Sequence, residues 1–368
     1  MKKVLLFIWS MCLFLEAIAS GSNLEINIFN VGWGNFVLLR KDNNVLVIDC
    51  GKADAFELEP AKARLENILE KSENCTVVIT HDHEDHYSAA CVLNECFQKA
   101  TMQKGNIGFF YGWAPSKKDS SKRVERGSIQ CNSWAGNLRA LKCLGNDVSI
   151  HCIIPEKYDK RHHVNNLVVG IKYGNKSFIF PGDATQDWFR ENARSLIKLV
   201  DDLGGVDFLL MPHHGSMSDT GFLMKNAIEN RVKGNQNPKR LICVISGNPS
   251  QKYHIPQIGV QYLFSGGAYA SVRPHYLTLS GNEIDSNTGK IKCIIEPVKS
   301  SSVFSTGNVV YGYKIVCDGE DFWMYDGLGI PRNPKEYIAD LKVFDSFGLD
   351  TPRSLEKDDS RVESDDSL

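Results

Sequence analysis

The stretch that most constrains this chain is Thr80-His81-Asp82-His83-Glu84-Asp85-His86, which comes straight off the apolar run Cys75-Thr76-Val77-Val78-Ile79. An extended segment turns alternate side chains to one face, so His81 and His83 point the same way; a turn after Glu84 brings Asp85 and His86 round to a second position. Imidazole suits zinc and similar first-row metals, and a carboxylate offsets the charge of the dication. Two metal positions at one strand end are therefore expected, against the plainer reading of a His-rich exposed turn.

The rest of the chain supplies a frame for that turn. Its 368 residues, 42% hydrophobic and 23% charged, suffice for a large core, and a net charge of −2 marks neither a nucleic-acid coat protein nor a membrane-surface binder. Residues 1–19 read as a secretory signal: Lys2 and Lys3, the apolar run Val4 to Leu15, then Ala17-Ile18-Ala19 as a cleavage site. An exported, periplasmic or secreted protein is expected, with a domain over residues 24–340 and an acidic, serine-rich disordered tail over 350–368. Ten cysteines follow the signal without a CxxC pair, and no pairing follows from their positions.

A pattern repeats within that domain. Strands are expected over Leu24 to Phe29, Phe36 to Arg40 and Val45 to Ile48, the last ending at Asp49-Cys50-Gly51. A helix over Pro60 to Lys71 then leads into the strand before the His-rich turn, and a further helix is expected over Ser88 to Cys96. The second half reads likewise: strands over Asn166 to Tyr173 and Ser177 to Phe180, the turn Pro181-Gly182-Asp183-Ala184, a helix from Trp188 to Leu203, a strand over Val206 to Met211, and Pro212-His213-His214-Gly215-Ser216. Strand pair, acidic turn, helix, strand, His-rich turn thus occurs twice, which points to two sheets packed face to face with helices outside. Between the halves a helix is expected over Asn132 to Leu144, and late strands over Lys290 to Val298 and Val309 to Val316.

Asp49 at a strand end, THDHEDH, PGDA and PHHGS, in this order, resemble the metallo-β-lactamase superfamily over most of residues 24–317. The VGWGN turn, the PGDA and HHGS turns and the SGN…YHIP stretch look most like the soluble hydrolase domain of ComEC-type competence proteins, without their transmembrane channel. The resemblance implies an α/β, four-layer αββα sandwich of two mixed β-sheets with outer helices. It implies two divalent ions, zinc or alternatively manganese, the first bound by His81 and His83, the second by Asp85 and His86, with Asp183 bridging. One histidine of the pair His213 and His214 completes the second site, and both stay candidates. For the first site the segment before Leu167 offers His162, His163, Asn165 and Asn166; the ComEC-like branch carries asparagine there, which would leave that ion under-liganded. Asn35 departs from the aspartate usual in the branch.

The function implied is that of an exported hydrolase using a hydroxide shared by two metals, acting on phosphodiesters, either small molecules or nucleic acid. Asp85 and Asp49 are candidates for catalysis, Asp49 by orienting a ligand or the hydroxide, and His254 for donating to the leaving oxygen. Lys117, Lys118, Lys122, Arg123 and Arg126 form a basic stretch that suits an anion-attracting lid or a solvated loop. Two alternatives stand beside this reading. One is a hydrolase of a lactam, lactone or thioester; the other is a secreted metal-binding protein without activity.

Overall fold

The computed structural model describes residues 23–52, 59–70, 72–102, 105–111, 131–133, 143–155, 162–216, 241–247, 301–305 and 312–326. The signal, the basic stretch at 117–126, His254 and the acidic tail lie outside the described residues.

Fourteen described strands form two sheets. The first contains β1 (Leu24–Ile28), β2 (Phe36–Lys41), β3 (Asn44–Cys50), β4 (Asn74–Ile79), β5 (Asn106–Tyr111), β6 (Cys131–Ser133), β13 (Tyr313–Cys317) and β14 (Phe322–Asp326), in the order β14-β13-β1-β2-β3-β4-β5-β6. The second runs β12-β11-β10-β9-β8-β7, from β7 (Val148–Ile153), β8 (Val168–Tyr173), β9 (Lys176–Phe180), β10 (Phe208–Leu210), β11 (Leu241–Ile245) and β12 (Ser301–Ser305). Both are mixed by the same rule. Each opens with three antiparallel strands, β1-β2-β3 and β7-β8-β9, and continues with parallel ones, β4 beside β3 and β10 beside β9. The repeat read in the sequence is therefore a repeat of topology.

Alternation along the strands sorts the layers. Ile26, Leu39, Leu46, Ile48 and Val78 join the core shared with the second sheet, while Leu38, Val45, Val47, Val77 and Ile79 turn the other way. On that outer side they meet Leu65 and Leu69 of α1 (Glu59–Leu69) and Leu93, Cys96 and Phe97 of α3 (Ala90–Ala100). In the second sheet Phe178 faces inward, its ring 5.7 Å from that of Phe322 on β14. Gly170 faces outward instead, where an added Cβ would lie 2.8 Å from Leu199 of α5 (Ala193–Leu203). Helix, sheet, sheet, helix is the four-layer α/β arrangement expected.

Several elements differ from expectation for local reasons. The helix expected from Trp188 to Leu203 is two, α4 (Gln186–Glu191) and α5, because Asn192 has φ −107° and ψ 15° and its amide donates to the Trp188 carbonyl. A short polar side chain competing with the backbone ladder in this way breaks a helix. The helix expected from Ser88 starts as a separate turn, α2 (Glu84–Tyr87), before α3. Asn132 and Ser133 are strand, paired in parallel with β5, where a helix was expected. Residues 290–298 lie outside the described residues; the strand beside β11 is Ser301–Ser305.

Trp188 anchors the outer layer to the site. It is fully buried, its Nε1 donates to the Asn166 carbonyl at 2.7 Å, and its ring meets Phe189 edge-on. Trp188→Ala is expected to cost about 3–5 kcal/mol through the cavity left and the orphaned carbonyl. Urea unfolding of the two proteins in chelator measures this; a loss below about 1 kcal/mol would contradict the packing described.

Candidate metal centre

The loops that matter all leave the carboxyl ends of strands, where open α/β sheets place their ligands. Asp49 ends β3, Thr80 follows β4, Asp183 follows β9, His213 and His214 follow β10, and Ser246 follows β11. Backbone hydrogen bonds lace these loops together, Leu167 N to Thr80 O (3.0 Å) between the two sheets, His213 N to Gly182 O (3.0 Å) within the second and Asn35 N to Asp85 O (3.0 Å) within the first. Asn35 thus supports the Asp85 turn through its backbone.

Two groups of donors result. His81, His83 and His163 form one, and Asp85, His86, Asp183 and His214 the other; within each, ligand atoms lie within 4.8 Å of one another. A further set, His163, Asp183 and His213, links them. Six of the seven expected ligands therefore fall into the first two groups, and His213 into the third. His163, one of four residues offered by its segment, is brought to His83, its Nε2 3.2 Å from the His83 Nδ1. Asn166 is committed elsewhere: its Oδ1 accepts from Asp183 N at 2.9 Å, and its Nδ2 donates to the carbonyls of Leu167 and Pro181. It shapes the turn that presents Asp183, a role that residue type and position alone did not reveal.

The hydrogen bonds behind the histidines decide which ring nitrogen faces inward. His214 Nδ1 lies 2.8 Å from the Ser246 carbonyl, which can only accept, so Nδ1 carries the proton and Nε2 offers its lone pair. Ser246 is itself pinned, its Oγ donating to Gly34 O at 2.7 Å. His86 Nδ1 donates to Asp49 Oδ2 at 2.7 Å. Asp49 also accepts from Thr80 N at 2.7 Å and from Thr80 Oγ1 at 2.9 Å, leaving that hydroxyl's lone pair to face His81 Nδ1 at 3.3 Å. Asp49 is completely enclosed by these contacts. It accepts from His86 and Thr80 and lies behind the donors.

Several buried ligand-type atoms make no hydrogen bond. Among the described residues, Nε2 of His81, His86 and His214 and Oδ1 of Asp183 are buried without hydrogen bonds, although His86 Nε2 is only 3.1 Å from Asp183 Oδ1. The same Nε2 atoms all lie within 3.9 Å of the Asp183 carboxylate, 3.9 Å for His81, 3.1 Å for His86 and 3.6 Å for His214. Leaving several buried polar atoms unsatisfied costs roughly 1–3 kcal/mol apiece, a cost a bound cation removes. The residues present fit divalent metal.

Charge agrees. Burial would push the Asp183 carboxyl up, but His86, His214 and His213 hold it well below the usual carboxylate range. Against its burial, His86 and His214 likewise lower Asp85. Burial, aided by His86, drives His81 well below the ordinary imidazole range, so it stays neutral and able to ligate. His86 is opposed by burial yet raised far above that range by Asp183, Asp49 and Asp85. Burial raises Asp49, countered chiefly by His86. Ionised carboxylates beside a neutral His81 suit a dication, which would take the place of the proton that the carboxylates hold on His86.

Strain gathers at the same place. Asp49 (φ 57°), His213 (φ 45°) and His214 (φ 50°) adopt the left-handed region without being glycine, at about 1–2 kcal/mol each.

No known family model matches the chain, and no curated protein matches it. Among solved structures it is similar to the metallo-β-lactamase fold protein YhfI from Bacillus subtilis, with TM-score 0.37 and 13% identity over 60% of this chain and 85% of that one. It is similar to human tRNase Z, short form, with TM-score 0.31 and 11% identity over 62% of this chain and 94% of that one. A third is a metallo-β-lactamase from Hirschia baltica, with TM-score 0.30 and 14% identity over 60% and 81%.

Proposed function

We propose that this protein is an exported metal-dependent hydrolase that cleaves phosphodiesters. One observation carries the metal dependence: the Nε2 atoms of His81, His86 and His214 are buried without hydrogen bonds and lie 3.9, 3.1 and 3.6 Å from the Asp183 carboxylate. His81, His83 and His163 would hold one ion and Asp85, His86 and His214 the other, with Asp183 between them. Two divalent ions held there supply Lewis acidity and lower the pKa of water toward neutrality. The chain's own part is to fix the donors. Asp49 and Thr80 hold His86 and His81, Ser246 holds His214, and Asn166 holds the Asp183 turn, so little reorganisation is left for the reaction. His254 is kept as the proposed donor to the leaving oxygen.

The phosphodiester class rests on the resemblance of the turns to ComEC-type hydrolase domains and on the basic stretch Lys117 to Arg126. Export rests on residues 1–19, and sequencing the amino terminus of protein recovered from the medium or periplasm checks it.

The test is a substrate panel on zinc-replete protein with and without chelator: bis(p-nitrophenyl) phosphate, single-stranded DNA, nitrocefin and a lactone. Turnover of the first two is expected, lost by at least about 100-fold in chelator and restored by zinc or manganese. DNA turnover alone should weaken with salt, since phosphate contacts release counterions. Turnover confined to nitrocefin or the lactone would move the reading to carbonyl substrates. Metal content below half an equivalent after metal-replete purification would end it.

A further inference from the structure

We infer that His213 is a ligand of the first ion, beside His163, and that only His214 serves the second. This rests on the metal-dependent reading above. The two histidines are adjacent in sequence yet belong to different groups, His214 with Asp85, His86 and Asp183, His213 with His163 and Asp183. The backbone separates them. Both residues are left-handed, at φ 45°, ψ 54° and φ 50°, ψ 24°, and this conformation is held by His213 N donating to Gly182 O and by Ser216 N donating to His213 O. The His213 ring consequently lies 4.7 Å from that of His163 and 6.2 Å from that of His214.

The distances suit shared coordination. Two nitrogen or oxygen donors about 2.0–2.1 Å from zinc at tetrahedral angles lie roughly 3.3–3.5 Å apart. His213 Nε2 is 3.6 Å from Asp183 Oδ2, as is His214 Nε2, and nearer than His81 Nε2 at 3.9 Å, so it is the approach to His163 that assigns His213 to the first ion. A histidine kept only for solubility has no reason to occupy a left-handed backbone turned toward a buried carboxylate. His163 belongs both to the group of His81 and His83 and to that of Asp183 and His213, so the first position draws on more protein donors than the second, whereas catalytic zinc keeps a position open. The first ion is then the tightly held one, the reverse of the under-liganded site expected from sequence, and the open position belongs to the second.

Zinc affinities measured by competition with a chromogenic chelator test this on the full protein. Glycine adopts φ +45° freely, so His213→Gly removes the ring without straining the turn, and its melting temperature in chelator should equal or exceed that of the parent. Its tighter zinc is expected to weaken roughly 100-fold, with the other unchanged. His214→Ala should weaken only the other. Combined with His163→Gln, His213→Gly should add little, because both act on one ion; combined with Asp85→Asn, the losses should add. Both affinities staying within about threefold in His213→Gly, or loss of the same ion as in Asp85→Asn, overturns the inference and leaves the metal-dependent reading standing. Parent protein that takes up no zinc overturns both.

Discussion

Asp183→Ala protein is expected to purify without either metal ion and to lose hydrolytic activity by about 100-fold or more. The carboxylate lies between the two donor groups, with Oδ1 3.1 Å from His86 Nε2 and Oδ2 3.6 Å from His214 Nε2 and 3.9 Å from His81 Nε2. Its removal takes a donor from both positions and the negative charge that offsets two dications. His81→Ala, by contrast, deletes a donor to one position and should cost that ion preferentially. Unfolding does not confuse the outcome, because Asn166 grips the turn through the backbone N of residue 183, which alanine retains. Metal content by mass spectrometry, with circular dichroism in chelator as the control for folding, reads the result. Full occupancy of both positions in Asp183→Ala would show that the carboxylate is no bridge.

The second large effect needs no change to any ligand. Gly51 follows β3 and lies against the α2 turn so closely that an added Cβ would be 1.7 Å from the Asp85 carbonyl oxygen and 2.3 Å from His86 N. Both are backbone atoms, so no side-chain rotation relieves the overlap, and the turn carrying Asp85 and His86 must shift. Gly51→Ala is therefore expected to cost at least about 1–3 kcal/mol by overpacking and to empty the second metal position while sparing the first. Gly247→Ala is the control. It borders the same site, but its Cβ would come no nearer than 3.7 Å, to His214 Cβ, and it should stay within about 0.5 kcal/mol of the parent. Two equivalents of zinc retained by Gly51→Ala, with unchanged unfolding, would contradict the close approach.

Much of this site was legible because its chemistry is local. His81 and His83 alternate on one extended segment, Asp85 and His86 follow within a turn, and Asp183 and the His213-His214 pair each close a predictable strand. The doubled order of elements likewise foretold two sheets, since each strand and helix announces its buried face by its own period. His163 was only one of four possibilities for the opposite reason. It sits in a 3-10 turn, His162–Asn165, without periodicity, and meets His83 across a gap of 80 residues.

The sequence by itself determined most of the strands and which strand ends gather histidines and carboxylates, because periodicity and short motifs are encoded within a few residues. Only the tertiary structure decided how those side chains group. The division depends on two left-handed residues after β10, on Asn166 being consumed by the Asp183 turn and on Ser246 and Asp49 setting the tautomers of His214 and His86. Each of these is a contact between distant segments, made when the two sheets pack and their carboxyl ends meet, and no local pattern fixes the distance or direction on which such a contact depends.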